Sequence, residues 1–288
     1  MPTLVVATSS GDVPLGRTLS IFDPVHVGID EFGHPVRVPL IYRNMLIGGE
    51  PGSGKSALLN LAVAHAALSP DCRLVLLDGK LVELGQWRHC ADVFVGAAQP
   101  RAIAILQRLQ TMVDNRSAYL LELERRKVAA DDRMFTPYLV AIDEIAYFSA
   151  TVGKKQDRDL FAELLRDLVA RGRAVGVIVV AATQRPSSDI IPTSLRDLFA
   201  WRWAGRCTTD ASSDIVLGHG WANKGWSANT ISPTNPGAGL LIAEDGGPQL
   251  VKVAYLDDAT CAAIARYAAT LRAVASDTHD PARLRAAS

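Results

Sequence analysis

The chain has 288 residues, of which 49% are hydrophobic, and its 30 lysines and arginines balance 30 aspartates and glutamates. This apolar content excludes a disordered chain, because it supplies the buried surface that offsets the entropy of ordering. The neutral charge excludes a protein that binds DNA or an anionic membrane by bulk charge alone, so any contact with a polyanion must be local.

The cysteines and the apolar runs indicate the compartment. Cys72, Cys90, Cys207 and Cys261 are far apart and form no C-x-x-C pair, which favours reduced, packed thiols over a disulfide framework or a zinc site. No apolar run approaches the roughly 18 residues of a membrane span, and no basic stretch marks a signal peptide. We expect a cytoplasmic chain without a transmembrane span. If the protein acts at the inner face of the cell membrane, a membrane-anchored partner would hold it there.

The amino-terminal part of the chain is rich in short strands and turns. Residues 25–40 predict two strands joined by a turn at residues 31–33. We predict that residues 1–43 form a small β-rich segment and that residues 44–288 form the main domain.

From residue 44 onward, buried strands alternate with helices. Strands are predicted at residues 44–48, 73–78, 138–143, 175–183, 199–203, 239–243 and 250–255, and helices at residues 55–68, 100–127, 157–171 and 259–274. Continuous apolar strands are typical of a sheet covered on both faces, and parallel neighbours need helical crossovers. The fold class is therefore α/β, with a mostly parallel central sheet flanked by helices.

A glycine-rich segment lies between the first of these strands and the first helix. Residues 49–56 read GEPGSGKS, which fits the phosphate-loop pattern G-x-x-x-x-G-K-[ST] of P-loop NTPases in the required strand and helix context. Its glycines let backbone N–H groups converge on a phosphate at the positive end of the helix. Lys55 is predicted to reach the β and γ phosphates of ATP, and Ser56 to ligate Mg²⁺. The predicted nucleotide-binding residues are Gly49, Glu50, Pro51, Gly52, Ser53, Gly54, Lys55, Ser56 and Ala57.

Two adjacent acids, Asp143 and Glu144, close the strand YLVAI. The carboxyl ends of parallel strands meet at one edge of the sheet, so this pair should lie near the phosphate loop. We predict that Asp143 acts on the magnesium side and that Glu144 is the general base that polarises water. Without the phosphate loop, the same pair could equally be an ordinary solvated strand end.

Five separated segments together resemble one family, the FtsK/SpoIIIE motor ATPases that pump double-stranded DNA. The segments are VGIDEFGHPVRVPL, GEPGSGKS, LLDGKLVEL, AIDEIAYFSATVGKK and, most specifically, LLRDLVARGRAVGVIVVAATQRPSSDII. The resemblance covers roughly residues 27–217. It implies a RecA-like motor that hydrolyses ATP, works on double-stranded DNA, and assembles as a hexameric ring with ATP between subunits.

The resemblance also implies roles for individual residues. Gln184 falls at the position of a γ-phosphate sensor, and Arg116 lies on a helix that can present an arginine finger to the neighbouring subunit. Each could equally be an ordinary loop or surface residue. The candidates for contacts with the DNA backbone are Lys154, Lys155, Arg171 and Arg173.

The carboxyl-terminal part departs from the pattern of the chromosome translocases. CTTDASSDIVLG places Asp214 where they carry an arginine, and this tail is more similar to conjugal-transfer proteins of actinobacterial plasmids and integrative elements. We predict an ATP-driven translocase of double-stranded DNA in conjugal or mobile-element transfer or in chromosome partition. The alternatives are an FtsK-like ATPase that powers protein secretion and a nucleotide-gated assembly factor.

Overall fold

The computed structural model describes residues 5–8, 11–14, 19–130, 132, 135–244 and 246–278. The first two strands, β1 (Val5–Thr8) and β2 (Gly11–Pro14), form an antiparallel pair of their own. The elements that follow in chain order are β3 Val25–Asp30, β4 Pro35–Val38, β5 Met45–Gly48, α1 Lys55–Ala67, β6 Arg73–Leu77, β7 Val93–Val95, α2 Gln99–Glu122, β8 Tyr138–Ile142, α3 Lys155–Arg171, β9 Val177–Thr183, α4 Thr193–Arg196, β10 Trp201–Gly205, α5 Asp210–Leu217, β11 Ala238–Ile242, β12 Gln249–Val253 and α6 Asp258–Thr278.

Ten strands form one mixed sheet in the order β4-β3-β12-β11-β10-β5-β9-β8-β6-β7. The run from β10 to β7 is parallel, whereas β11, β12, β3 and β4 extend it with antiparallel pairs. This confirms the predicted α/β class with a mostly parallel sheet. The parallel strands all end at the same edge, which we call the carboxyl edge.

Side chains that alternate along the buried strands build two apolar cores, one on each face of the sheet. On β6, Leu74 and Leu76 belong to the core beneath α1 and α6, while Val75 and Leu77 belong to the core beneath α2 and α3. This is the period of two that a strand covered on both faces must show. Helix α1 is apolar nearly all round because it also packs beneath α6, as its sequence predicts.

The amino-terminal hairpin of β3 and β4 is continuous with the main sheet. β3 pairs with β12, and the pairing brings Gly28 so close that a Cβ there would lie 2.1 Å from the carbonyl oxygen of Lys252. Residues 25–38 therefore extend the same sheet across the predicted boundary at residue 43. The division into a segment of residues 1–43 and a domain of residues 44–288 stays a prediction.

The sequence pattern does not predict the short elements β7, α4 and α5. β7 has three residues, α4 has four and α5 has eight, so each is too short for a periodic apolar pattern to stand out. All four cysteines are buried and free of disulfides. Among the described helices, none is both long enough and apolar enough to cross a bilayer.

Candidate active site

The phosphate loop, residues 49–56, runs from the end of β5 into the first turn of α1. Gly49, Gly52 and Gly54 all have φ between +76° and +145°, a region that only glycine enters easily. The loop curls around Lys55, whose Nζ donates a hydrogen bond to the carbonyl oxygen of Glu50 at 2.7 Å. Burial lowers the pKa of Lys55 to about 8. The lysine therefore sits inside a loop shaped to receive an anion that would restore its charge.

The tail of the domain closes over this loop. Gly237 donates its backbone N–H to the carbonyl of Ser53 at 2.9 Å, and a Cβ on Gly54 would lie only 2.4 Å from the Cα of Gly237. Gly237 in turn accepts a hydrogen bond from the backbone N–H of Val253 on β12. The segment that departs from the chromosome-translocase pattern thus supports the back of the phosphate loop.

Asp143 lies at the carboxyl edge, directly after β8. It is 5% exposed, and its Oδ2 is buried with no hydrogen-bond partner within the described residues. Burial, and then the negative charges of Glu83 and Asp78, raise its pKa to about 7. An orphaned carboxylate oxygen of this kind fits a hard divalent cation, and the Ser56 hydroxyl predicted to join it is an oxygen donor of the type that Mg²⁺ prefers. Bound there, Mg²⁺ would neutralise phosphate charge.

Glu144 is held by donors from three directions. Its Oε1 accepts the Thr183 hydroxyl at 2.7 Å and the backbone N–H of Ala146 at 3.3 Å. Its Oε2 accepts the backbone N–H of Gln184 at 3.0 Å and lies 3.6 Å from the ammonium of Lys80. The carboxylate is 5% exposed and is fixed between β8, β9 and the loop after β6. Its position is therefore set by the sheet edge itself.

Gln184 shares a cleft with the phosphate loop. The cleft has a volume of about 370 Å³ and is lined by Glu50, Gln184, Arg185, Ser187, Asp189 and Cys207 among others. Gln184 and Glu50 of the phosphate loop thus line one cleft, and the role of Gln184 as a sensor stays a prediction. Cys207 is no nucleophile here, because burial raises the pKa of its thiol to about 12.

Three charged residues of this region had no assigned role in the sequence analysis. Arg206, after β10, forms an ion pair with Glu50 of the phosphate loop at 2.6 Å. Lys80 and Glu83 belong to the segment LLDGKLVEL, whose strand β6 is the neighbour of β8. The carboxyl ends of parallel strands meet at one edge of the sheet, which is the rule that placed Asp143 there. Applied to β6, the same rule predicts that the loop with Lys80 and Glu83 lies at this edge.

Arg116 is half-buried on α2 and is bonded within the domain, so its predicted role as an arginine finger stays a prediction. Its guanidinium donates hydrogen bonds to the carbonyls of Val175 and Thr136, both at 2.9 Å, and lies over the rings of Phe135 and Tyr138. These contacts tie α2 to the starts of β8 and β9, at the edge opposite the phosphate loop. To act as a finger, the Arg116 side chain would have to leave these contacts.

The four candidates for DNA contact fall into two groups at opposite ends of α3. Lys154 and Lys155 lie at its start, and Arg171 and Arg173 lie at or just beyond its end, about 25 Å away at 1.5 Å per residue. Lys155 pairs with Asp159, Arg171 with Asp114 and Asp167, and Arg173 with Glu244. Lys154 is exposed and has no ion pair among the described residues. The four do not form one basic patch.

Comparison with known proteins decides the family. The sequence profile of the FtsK/SpoIIIE family matches residues 6–149, half of the chain. The chain belongs to the FtsK/SpoIIIE family. It is 30% identical over 217 residues to the DNA translocase FtsK of Treponema pallidum, covering 70% of this chain and 26% of that protein. It is 28% identical over 229 residues to the protein Tra of Streptomyces lividans, covering 74% of this chain and 36% of that protein.

The chain thus spans less than half the length of these curated relatives. Among solved structures, the pCW3 conjugation coupling protein TcpA matches with a TM-score of 0.72 and 19% identity, covering 94% of this chain and 81% of that chain. The type VII secretion ATPase EccC of Thermomonospora curvata matches with a TM-score of 0.64 and 22% identity, covering 88% of this chain and 32% of that chain. Identities this low show the fold alone. Family membership and the phosphate loop together identify these residues as an FtsK-family ATPase domain.

Proposed function

We propose that this domain is an ATP-driven motor that translocates double-stranded DNA, in conjugal or mobile-element transfer or in chromosome partition. The observation that carries the enzymatic part is the meeting of Lys55, Asp143 and Glu144 at one sheet edge, with Asp143 Oδ2 buried and unpartnered. A buried acid without a partner costs stability, and it is kept where a ligand or a reaction uses it.

The chemistry follows from what each side chain can do. Lys55 and the loop N–H groups bind the β and γ phosphates, and Asp143 with Ser56 holds Mg²⁺. Glu144 accepts a proton from the attacking water, which becomes the oxygen of inorganic phosphate as the bond to ADP breaks. Gln184, whose backbone already contacts Glu144, reports the presence of the γ phosphate to the loop that follows it.

The proposed cargo rests on the relatives rather than on a basic surface. Both curated relatives are sequence homologues, one named a DNA translocase and the other a Tra protein. A neutral subunit can still hold DNA if a hexameric ring repeats a few cations around a pore, because affinity then comes from multivalency. Lys154, Lys155, Arg171 and Arg173 are the cations that we propose for this, with Lys154 the readiest because it is unpaired within the described residues.

The test is the ATPase rate with double-stranded DNA, single-stranded DNA and no DNA, measured over a salt series alongside the oligomer mass. We expect stimulation by double-stranded DNA that weakens steeply with salt, since phosphate contacts release counterions. A rate that no DNA length changes at any salt concentration would refute the DNA motor. Stimulation by a polypeptide signal instead would point to a secretion ATPase.

The variant Glu144→Gln separates a motor from a nucleotide-gated switch. It keeps the shape and burial of the side chain but removes the base. We expect ATP binding that is at least as tight as in the wild type, with loss of both hydrolysis and DNA movement. If DNA movement persists at the wild-type level without hydrolysis, ATP acts only as a switch.

A further inference from the structure

Lys80 is a second lysine at the nucleotide site, and it is paired with the general base. Its ammonium lies 3.6 Å from Glu144 Oε2, with Lys80 one-third exposed and Glu144 almost fully buried. Lys80 is also close enough to Lys55 to contribute to lowering the pKa of that side chain. Two lysines therefore converge on the space where the phosphate loop would hold an anion.

The loop that carries Lys80 is held in a defined conformation by hydrogen bonds. The buried carboxylate of Asp78 accepts backbone N–H groups from Lys80 at 3.2 Å and from Leu81 and Leu84 at 2.8 Å each. Leu81 adopts φ +64°, which costs energy for a residue with a Cβ. Such a loop holds the Lys80 backbone in one place, so only the flexible side chain is free to change partner.

Three hydrogen-bond donors and one ammonium surround the Glu144 carboxylate. A carboxylate has about four lone-pair sites. Hydrogen bonds fill two of them at Oε1 and one at Oε2, and the Lys80 ammonium lies beside the fourth as an ion pair at 3.6 Å. The three hydrogen-bond donors, from Thr183, Ala146 and Gln184, are backbone groups or a short side chain fixed on the sheet edge. Lys80 makes the longest contact and has the longest side chain, so it is the donor that an incoming anion can draw away.

We propose that Lys80 is a positioning residue that occupies Glu144 Oε2 in the nucleotide-free protein and moves to the terminal phosphate when ATP binds. The move exchanges one anionic partner for another and opens Oε2 to a water. This inference rests on the proposed ATP site, although not on DNA as the cargo. It predicts that Lys80 distinguishes ATP from ADP, because ADP lacks the phosphate that would attract it.

The test compares ATP and ADP affinity by titration calorimetry in wild type, Lys80→Met and Lys80→Arg. We expect Lys80→Met to lose about 10-fold in affinity for ATP with little change for ADP, and Lys80→Arg to retain most of the difference. Lys127→Met, a lysine at the opposite edge of the sheet, is the matched control and should change neither affinity. If Lys80→Met lowers the affinities for ATP and ADP equally, Lys80 is merely structural and the proposal is overturned. An unchanged affinity for both nucleotides also overturns it.

A second measurement tests the exchange of partners. Glu144→Gln removes the competing charge, so it should tighten ATP binding several-fold when Lys80 is present and not when Lys80 is methionine. Additive effects of the two substitutions on ATP affinity would overturn the proposal. If Lys80→Met folds poorly, Lys80→Gln replaces it in this measurement. Both tests measure nucleotide binding and not DNA-stimulated hydrolysis. If the expected affinities are found but DNA does not stimulate hydrolysis, the proposed function fails and the role of Lys80 stands.

Discussion

The hydroxyl of Thr183 at the end of β9 donates a hydrogen bond to Glu144 at the end of β8, over a distance of 2.7 Å. Thr183 also accepts the backbone N–H of Arg185 at 3.1 Å. The Arg185 N–H occupies a lone pair of the Thr183 hydroxyl, and the hydroxyl proton points to the Glu144 carboxylate. The loop after β9 is thereby connected to the proposed general base through a chain of hydrogen bonds.

We expect Thr183→Val to lower kcat by about 10-fold or more with a small change in KM. Valine keeps the shape of threonine but removes the donor that orients Glu144, and misplacing a general base costs the chemical step rather than binding. Single-turnover hydrolysis measures this directly. Thr183→Ser restores a hydroxyl and is the control, so it should stay near the wild-type rate. A valine variant as fast as the serine variant would show that the bond is not used.

The positions of Asp143 and Glu144 could be predicted because the rule that places them is local. A buried apolar strand ending in acids lies at the carboxyl edge wherever the sheet is parallel, and the same holds for the phosphate loop after β5. Both acids do lie at that edge. The mostly parallel class of the sheet followed from the same continuous apolar runs.

The contacts that refine the site could not be predicted, because they join segments far apart in the chain. Arg206 reaches Glu50 across two adjacent strands, and Arg116 turns inward because two backbone carbonyls at the starts of β8 and β9 face it. A charged residue on a helix carries no local sign of whether it points outward or into such a pair of carbonyls. The position of β12 beside β3 depends likewise on the close approach at Gly28.

The ion pair of Glu50 and Arg206 predicts a specific electrostatic coupling. An acid within a phosphate loop repels the nucleotide, and Arg206 compensates it at 2.6 Å. We expect Arg206→Met to weaken ATP binding by about 10-fold, because Glu50 is then an uncompensated negative charge beside the phosphates. Nucleotide titration of the purified variant checks this.

The matched control is the double variant Glu50→Gln with Arg206→Met. Without the acid there is nothing to compensate, so most of the lost affinity should return in the double variant. If affinity falls further instead, Arg206 binds the nucleotide itself and its pairing with Glu50 is incidental.

The buried Lys55 predicts how ATP binding depends on pH. Burial lowers its pKa to about 8, so in the nucleotide-free protein the ammonium loses its proton as pH rises through 8. ATP phosphates favour the charged form and raise this pKa, so binding takes up a proton above pH 8. Affinity should therefore fall by up to about 10-fold per pH unit above 8 and be nearly flat from pH 6 to 7 as far as this group is concerned.

Calorimetry at pH 7, 8 and 9 in buffers of different ionisation enthalpy measures the proton uptake. The uptake at Lys55, taken as the difference between the wild type and Lys55→Arg, should be near zero at pH 7 and rise toward one proton at pH 9. The variant Lys55→Arg keeps a permanent charge and should show no uptake from this position. Uptake that is unchanged in the arginine variant would assign the proton to another group.

Asn44 predicts where the domain is most sensitive to a single polar change. This residue is fully buried just before β5, where its Nδ2 donates to the carbonyl of Val169 at 2.8 Å and its Oδ1 accepts the N–H of Val179 at 2.7 Å. It joins α3 to β9 at the start of the strand that leads into the phosphate loop. Asn44→Leu would leave both backbone groups buried without partners, and each such group costs about 1–3 kcal/mol.

We expect Asn44→Leu to lower the free energy of unfolding by roughly 2–4 kcal/mol, with a lower urea midpoint and an unchanged m-value. Asn44→Asp should lower it by at least as much, because the acceptor remains but the donor is lost and a charge is buried. Asn115→Ala, on the exposed side of α2, is the control and should stay within about 0.5 kcal/mol of wild type. If Asn44→Leu proved as stable as this control, the two hydrogen bonds would contribute nothing net, and the junction of α3 with β9 would be held by apolar packing alone.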